Sequence, residues 1–187
     1  MRIIGGQRRG LKLAAVGAGD AGAHLRPTSD RVREAIFNLL INGGYGNPVA
    51  GARVLDLFAG TGALGLEALS RGAAHATFVD DGATALALLR RNIALMQAAS
   101  ATGILQRNAT AMGPNPHAGH GLVFLDPPYG RSLGAAALAS CLAGNWLAPC
   151  ALIIWEENAP PSLPFGLEQL DQRKYGDTIV TILRKSS

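Results

Sequence analysis

The stretch Val54-Leu55-Asp56-Leu57-Phe58-Ala59-Gly60-Thr61-Gly62-Ala63-Leu64-Gly65 decides the fold of this chain of 187 residues. Its apolar beginning, residues 54–58, predicts a buried strand, and residues 63–71 predict a helix. The three glycines between and within these elements have the G-x-G-x-x-G spacing that lets a nucleotide approach the backbone closely. The sequence therefore predicts an α/β domain that binds a nucleotide-type cofactor at the carboxyl end of this strand.

Two acidic residues at predicted strand ends narrow the choice of cofactor. Asp56 lies four residues before Gly60, where a carboxylate suits the charged methionine end of S-adenosylmethionine and would repel the pyrophosphate of a dinucleotide. A cap of the helix or loop is the alternative role for Asp56. Asp80 ends the next predicted strand, twenty residues after Gly60, which is the separation expected of an acid that binds ribose hydroxyls. Asp81 is its rival.

A second decisive stretch is Val123-Phe124-Leu125-Asp126-Pro127-Pro128-Tyr129-Gly130. Proline cannot extend a sheet ladder, so the strand must end at Asp126 and a stiff, exposed turn must follow. The Asp126 carboxylate and the Pro127 carbonyl can accept hydrogen bonds from the exocyclic amine of a nucleobase, and Tyr129 can stack on the base. An ordinary strand-ending turn with a packed tyrosine is the alternative.

Positive charge is concentrated at the start of the chain. Residues 1–33 hold seven of the 17 Lys and Arg residues but only two of the 13 Asp and Glu residues. This imbalance favours a polyanionic partner such as RNA over a merely solvated tail. Residues 2–13 predict a β-hairpin with Arg8 and Arg9 near its tip. A helix is predicted after Pro27, capped by Thr28 or Ser29. Its apolar residues form one stripe, which leaves Arg26, Arg31 and Arg33 for solvent, RNA or the rim of the active site.

The remaining segments complete an α/β pattern. Strands are predicted over 103–106 and 151–156, helices over 83–99 and 133–144, and a terminal hairpin over 168–184. Asn108 follows the third strand, where it either reaches an adenine edge or serves as a turn asparagine. His117 and His120 are expected at the surface, and no metal site is predicted. Cys141 and Cys150 are expected to be buried or half-buried reduced thiols.

Length and composition set the class of protein. The chain is 48% hydrophobic and 16% charged, which is enough apolar material for one sizeable core. No segment has the length of a membrane span or the character of a signal peptide, so we expect a cytoplasmic protein. We also expect a monomer, with a basic hairpin and loop over 1–25 and one catalytic domain over 26–187.

Several stretches together resemble a known family. Residues 56–62 and 126–129 are similar to class I S-adenosylmethionine-dependent amino-methyltransferases. The segments 2–6, 26–34 and 173–178 are more specifically similar to the bacterial RsmD family. That family methylates N2 of a guanine, guanine 966 of 16S ribosomal RNA, in the assembling small subunit. The resemblance implies a Rossmann-like, seven-stranded, mostly parallel sheet with helices on both faces.

The resemblance also implies site residues. Residues expected to hold the cofactor are Asp56, Phe58, Gly60, Thr61, Gly62, Asp80, Asn108 and Asp126. Asp126, Pro127 and Tyr129 are the expected catalytic residues. The expected RNA contacts are Arg8, Arg9, Arg26, Thr28, Arg31, Arg33, Pro128 and Tyr129. Asp80 stands where the family more often has glutamate, and a shorter acid still reaches a diol.

Three alternatives remain open at this point. An adenine-N6 or other amino-methyltransferase would use the same Asp-Pro-Pro-Tyr turn on RNA or DNA. An NAD-linked oxidoreductase would use the glycines, but it would lack an evident catalytic partner. A noncatalytic RNA chaperone would leave the turn around Asp126 without a purpose.

Overall fold

The computed structural model describes residues 1–15, 29–129 and 132–186. Seven strands form one sheet in the order β3-β2-β1-β4-β5-β7-β6. The strands are β1 Arg53–Leu57, β2 His75–Asp80, β3 Thr102–Gln106, β4 His120–Leu125, β5 Leu147–Glu157, β6 Leu167–Tyr175 and β7 Thr178–Lys185. Strands β1 to β5 pair in parallel, and β7 is antiparallel to both β5 and β6. The predicted seven-stranded, mostly parallel sheet and its terminal hairpin are confirmed.

Helices cover the two faces of the sheet unequally. They are α1 Asp30–Asn42, α2 Ala63–Ser70, α3 Ala83–Met96 and α4 Leu133–Ala143. Apolar residues of α1, α2 and α3 share one core cluster, whereas α4 belongs to the cluster on the other face. The connection from β3 to β4 holds only a short 3-10 helix, Ala109–Ala111, among its described elements. None of the helices in the described ranges is long and apolar enough to cross a lipid bilayer.

Strand and helix ends follow local chemistry. Strand β1 ends at Leu57, one residue earlier than expected, because Phe58 has a left-handed backbone (φ 57°) and starts the turn. Helix α1 begins after Ser29, whose side-chain oxygen accepts a hydrogen bond from the N–H of Val32 at 3.2 Å. The other capping candidate, Thr28, lies outside the described residues.

The N-terminal loop, residues 1–14, has the predicted antiparallel arms but forms no regular two-stranded ladder. Its two arms lie side by side, and the N–H of Ile3 donates to the carbonyl of Leu11 at 2.9 Å. They form a single isolated antiparallel bridge, between Arg2 and Lys12, and a 3-10 turn occupies Gly6–Arg8. The arms belong to the main core, since Ile3 is 1% exposed and Leu13 is buried. The expected domain boundary at residue 25 falls outside the described residues.

Helix α2 holds the N-terminal loop in this shape. The buried carboxylate of Glu67 accepts hydrogen bonds from the N–H groups of Ile4 and Gly5, both at 2.8 Å. The hydroxyl of Ser70 donates to the Gly5 carbonyl at 2.6 Å and accepts from the N–H of Arg8 at 3.0 Å. A Cβ atom at Gly6, where φ is 75°, would stand 1.9 Å from the Ser70 carbonyl oxygen. Glycine at this position therefore allows the loop to dock, and docking replaces a regular hairpin.

Candidate active site

Three carboxylates meet at the carboxyl edge of the sheet. Asp56 is the penultimate residue of β1, Asp80 is the last residue of β2, and Asp126 directly follows β4. Strands β2, β1 and β4 are neighbours in the sheet. The carboxyl edge of an open parallel sheet is where ligands bind, so the predicted cofactor residues and the predicted catalytic turn share one edge.

Asp56 is the most buried of the three acids. Asp56 is only 2% exposed, and its Oδ2 accepts a hydrogen bond from the N–H of Gly65 at 2.9 Å. The pKa of Asp56 is raised to about 8, first by burial and then by the negative charges of Asp126 and Asp80, although the hydrogen bond from Gly65 lowers it. The bond to the helix backbone is the capping role that the sequence left open. Binding of a cofactor by Asp56 stays a prediction.

Asp80 supports the glycine turn. Its Oδ2 accepts from the N–H of Gly60 and its Oδ1 from the N–H of Gly82, both at 2.8 Å. Gly60 (φ 53°) and Gly62 (φ 80°) both have left-handed backbones, which glycine adopts without strain. The neighbouring Asp81 is exposed and makes no comparable contact among the described residues. The geometry thus favours Asp80 over its rival, and its contact with a ribose stays a prediction.

Thr61 links the glycine turn to the N-terminal loop. The residue is buried, and its hydroxyl lies 3.6 Å from the sulfur of Met1. Its carbonyl accepts a hydrogen bond at 2.9 Å from Asn92, a buried residue of α3 that the sequence analysis missed. Asn92 also exchanges two hydrogen bonds with the backbone of Ala14, at 2.7 and 3.1 Å. The one sign of this role in the sequence was that Asn92 is a polar residue next to Ile93, which belongs to the apolar stripe of α3.

The Asp-Pro-Pro-Tyr turn follows β4 as predicted. It is less exposed than expected, because Pro127 is buried and the flanking residues Asp126, Pro128 and Tyr129 are half-buried. The hydroxyl of Tyr129 lies 3.3 Å from the hydroxyl of Thr178, the first residue of β7. This contact ties the turn to the antiparallel part of the sheet.

Asn108 and Phe58 occupy turns near the same edge. Asn108 is exposed, and its Oδ1 accepts from both the N–H and the hydroxyl of Thr110, at 2.9 and 2.8 Å. It therefore caps the 3-10 helix, as the turn interpretation expected, and its contact with adenine stays a prediction. Phe58 is half-buried and packs against the α4-side core cluster.

The basic residues expected to contact RNA are spread over the molecule. Arg8 and Arg9 are exposed, but the guanidinium of Arg8 donates to Gln97 at 3.0 Å, just after α3. Helices α2 and α3 run from the carboxyl edge to the amino edge of the sheet, so the tip of the N-terminal loop lies at the amino edge, away from Asp126. Arg31 is exposed on α1, and Arg26 lies outside the described residues.

Arg33 was predicted wrongly as a surface residue. It is 0% exposed, and its Nη2 donates to the carbonyl of Arg2 at 2.6 Å and to Asp30 at 2.7 Å. Its Nε lies 3.8 Å from Glu67, which also pairs with Arg71 at 2.7 Å. Arg33 therefore holds α1, α2 and the N-terminal loop together, and it is not available to RNA in this arrangement.

Histidine and cysteine positions need two corrections. His117 is exposed as expected, but His120 is 2% exposed because its ring bridges Thr77 at 3.0 Å and the carbonyl of Trp146 at 3.1 Å. Cys141 is buried, whereas Cys150 is exposed near the amino end of β5. Within 1–15, 29–129 and 132–186, three or more His, Cys, Asp or Glu side chains nowhere gather in a possible metal site.

Known proteins match the chain over nearly its whole length. The family described as Conserved hypothetical protein 95 matches residues 1–184. Ribosomal RNA small subunit methyltransferase D of Escherichia coli K12 is 41% identical over 167 residues, covering 88% of this chain and 79% of the relative. The protein of the same name from Haemophilus influenzae is 38% identical and covers 83% of this chain and 78% of its own length. The solved yhhF protein of Escherichia coli is 36% identical with a TM-score of 0.82, covering 100% of this chain and 98% of that structure.

These matches agree with the sheet order and the fold. The strand order, the glycine turn after β1 and the antiparallel β7 together form the Rossmann-like class I methyltransferase fold that the sequence resembled. The predicted fold class is confirmed over the described part of the chain.

Proposed function

The chain belongs to the Conserved hypothetical protein 95 family, and from this premise we propose that it transfers a methyl group from S-adenosylmethionine to the exocyclic N2 of a guanine in 16S ribosomal RNA. The name of the Escherichia coli relative supports an rRNA substrate in the small subunit. The turn around Asp126 supports an exocyclic amine as the acceptor. The assembling 30S particle as substrate, and action as a monomer in the cytoplasm, are parts of the same proposal.

The observation that carries the proposal is the charge of the cofactor edge. Asp56, Asp80 and Asp126 end three adjacent strands, and the pKa of Asp56 rises from burial and from the charges of the other two acids. A group of carboxylates favours a ligand that brings positive charge, such as an ammonium and a sulfonium. It disfavours the pyrophosphate of NAD. These residues therefore fit S-adenosylmethionine better than a dinucleotide.

In the proposed site each residue has a distinct task. The glycine turn, Thr61 and Phe58 line the cofactor, Asp56 holds its methionine end, Asp80 its ribose and Asn108 its adenine. When bound, S-adenosylmethionine supplies an electrophilic methyl group. Gly60 and Gly62 suit the role of lining the cofactor, because a glycine turn with left-handed backbones lets the cofactor approach the main chain.

The Asp-Pro-Pro-Tyr turn positions the acceptor. The Asp126 carboxylate and the Pro127 carbonyl accept the two N–H bonds of N2 and aim its lone pair along the line of displacement. Tyr129 and Pro128 hold the plane of the extruded guanine. The amine becomes cationic as the bond forms and loses its proton afterwards, so positioning and electrostatics replace a strong base. Burial of Pro127 and the contact of Tyr129 with Thr178 keep the turn rigid.

The experiment that tests this function is methyl transfer to defined substrates. Tritium from labelled S-adenosylmethionine is counted on small subunits from a strain that lacks the enzyme, and the RNA is digested to nucleosides. Counts in N2-methylguanosine are expected. Counts in N6-methyladenosine or N4-methylcytosine would keep the chemistry and overturn the substrate. An absence of cofactor binding would remove the methyltransferase proposal itself.

A further inference from the structure

A basic pocket lies on the α4 face of the sheet, away from the carboxyl edge. Its volume is about 360 Å³, and its wall includes Arg53, His75, Arg107, His117, His120 and Trp146. Arg53 and His75 are the first residues of β1 and β2 and are direct partners across the sheet. His75, Thr77 and Val79 are every second residue of β2 and therefore lie on the same face of the sheet, and Val79 belongs to the core cluster under α4. The pocket is open because β3 connects to β4 through a short 3-10 helix and a loop, so no α-helix of the described chain covers this part of the sheet.

Every charged side chain in the wall of the basic pocket is a cation or a histidine. Arg53, Arg107 and His117 are exposed, and neither arginine forms an ion pair within residues 1–15, 29–129 and 132–186. A pocket with two guanidinium groups and no carboxylate in its wall lacks an internal counter-ion. An anionic ligand would supply one.

Two histidines in the wall, the half-buried His75 and the buried His120, have lowered pKa values. The pKa of His120 is lowered to about 4, first by burial and then by Arg53, His75 and His117, although the carbonyl of Trp146 raises it. The pKa of His75 is lowered by burial and by Arg53. Every side-chain charge that acts on these two rings is positive. Burial is the larger cause of both shifts, and the added effect of Arg53 agrees with the positive charge of the wall.

The position of the pocket identifies the kind of anion. Strands β1 and β2 span five or six residues, which separates their first residues from the carboxyl edge by roughly 17–20 Å. Arg8 and Arg9 lie at the same amino edge, beyond the ends of α2 and α3. One small ligand cannot contact both the catalytic turn and this edge. A polymer with a phosphate at every unit can contact both.

We propose that the basic pocket binds a backbone phosphate of the RNA whose base enters the site at Asp126, with Arg53 and His117 as the groups that contact it. This inference rests on the proposed RNA substrate and adds a second contact area to it. Arg107 supports the wall of the pocket, because its guanidinium donates to the carbonyl of Met112. The phosphate contact fixes the position of the RNA and carries no sequence information.

A matched pair of variants tests the pocket. Arg53→Gln removes an exposed cation from the pocket, and Arg90→Gln removes an exposed cation from α3 on the other face. Binding of a fluorescein-labelled single-stranded RNA is followed by anisotropy over a range of KCl concentrations. For Arg53→Gln we expect binding several-fold weaker and a salt slope smaller by roughly 0.7, the value for one lost phosphate contact. Thermal unfolding checks that both variants are folded.

The other outcomes of this experiment show whether the pocket binds RNA phosphate, a free nucleotide or neither. Equal loss in Arg53→Gln and Arg90→Gln would overturn the proposal, because it would mean that only total charge matters. Binding of AMP that depends on Arg53, with RNA binding that does not, would also overturn it and assign the pocket to a free nucleotide. RNA binding that depends on Arg53 without any methyl transfer would support the pocket and overturn the proposed function, so the two failures are distinguishable.

Discussion

Arg33 and Glu67 are both fully buried, and Nε of Arg33 lies 3.8 Å from Oε2 of Glu67. The same carboxylate receives the N–H groups of Ile4 and Gly5. Among the described residues, Nε and Nη1 of Arg33 have no hydrogen-bond partner, so Glu67 is the main source of compensating charge on that side of the guanidinium. A buried ion pair is strongly disturbed when only one partner is removed.

Glu67→Gln should therefore destabilise the protein by about 3–5 kcal/mol, since it removes the buried carboxylate beside Arg33 and leaves only Asp30, which is partly exposed, to balance that guanidinium. Urea unfolding measures this loss, and hydrogen exchange at Ile4 and Gly5 should become faster. Glu34→Gln on the exposed side of α1 is the matched control and should change stability by less than about 0.5 kcal/mol. Equal effects of the two substitutions would contradict the assigned role.

Asp126→Ala should abolish methyl transfer, because the acceptor amine loses one of the two groups that orient it. Binding of S-adenosylmethionine should persist, since Asp56 and Asp80 remain. Single-turnover methyl transfer and equilibrium cofactor binding are the two measurements. Asp81→Ala, at an exposed carboxylate near the same edge, is the control. Near-normal turnover by Asp126→Ala would remove this residue from the mechanism.

Two substitutions separate the contributions of the Tyr129 ring and of its hydroxyl to activity. Tyr129→Phe keeps the ring and loses only the contact with Thr178, at 3.3 Å, so we expect a small change in kcat/KM. Tyr129→Ala also loses stacking on the base, which is worth about 1–3 kcal/mol, or roughly 5- to 150-fold in kcat/KM. Steady-state kinetics on small subunits compares them. If the two variants lose activity equally, the hydroxyl matters and stacking does not.

Cofactor binding should release a proton from Asp56. Its pKa of about 8 means that the carboxyl is mostly protonated at pH 7, and a bound ammonium group would favour the carboxylate. Calorimetry in two buffers with different ionisation enthalpies should show release approaching one proton at pH 7. Asp56→Asn should show weaker binding and no such release. Buffer-independent heats in the unmodified protein would argue against contact between Asp56 and the cofactor.

His120 should make stability depend on pH. Its pKa is about 4 in the folded protein, against 6.5 for a histidine in an unstructured chain, so the unfolded protein binds the proton more readily. The contribution of His120 is complete above pH 6.5 and is lost as the pH falls towards 4, by up to about 3 kcal/mol. Unfolding in urea at several pH values measures it. His120→Gln should flatten this part of the profile relative to the exposed control His117→Gln, and parallel profiles would contradict it.

The sequence predicts the sheet well because its signals are local. The glycines after β1 and the prolines after β4 fix where those strands end, and both ends lie within one residue of expectation. The acids at positions 56, 80 and 126 follow from those ends, so their common edge was predictable. The hydrogen bonds that two of these acids accept from Gly65, Gly60 and Gly82 depend on side-chain packing and could not be predicted from the sequence.

Errors arise where a distant partner decides the environment. Arg33 looks like a surface residue in its own helix, and its burial is explained by two partners remote in sequence, the carbonyl of Arg2 and the carboxylate of Glu67, 34 residues later. His120 is buried because Thr77 and Trp146, which are remote in sequence, satisfy its two ring nitrogens. The arms of the N-terminal hairpin pair antiparallel as predicted, but the ladder stays short because α2 binds the N–H groups of Ile4, Gly5 and Arg8.

The docking of the N-terminal loop sets an order of events during synthesis. Residues 1–14 leave the ribosome before their partners, which extend from Thr61 through Asn92 to Gln97. The loop can therefore complete its contacts only after α3 has been made, as expected of a domain that folds as one unit. Met1 then rests against Thr61 of the glycine turn, so a purification tag fused ahead of it would crowd the carboxyl edge of the sheet, where we propose that the cofactor binds. A tag after Ser187 would avoid that edge, because β7 ends beside the amino end of β5.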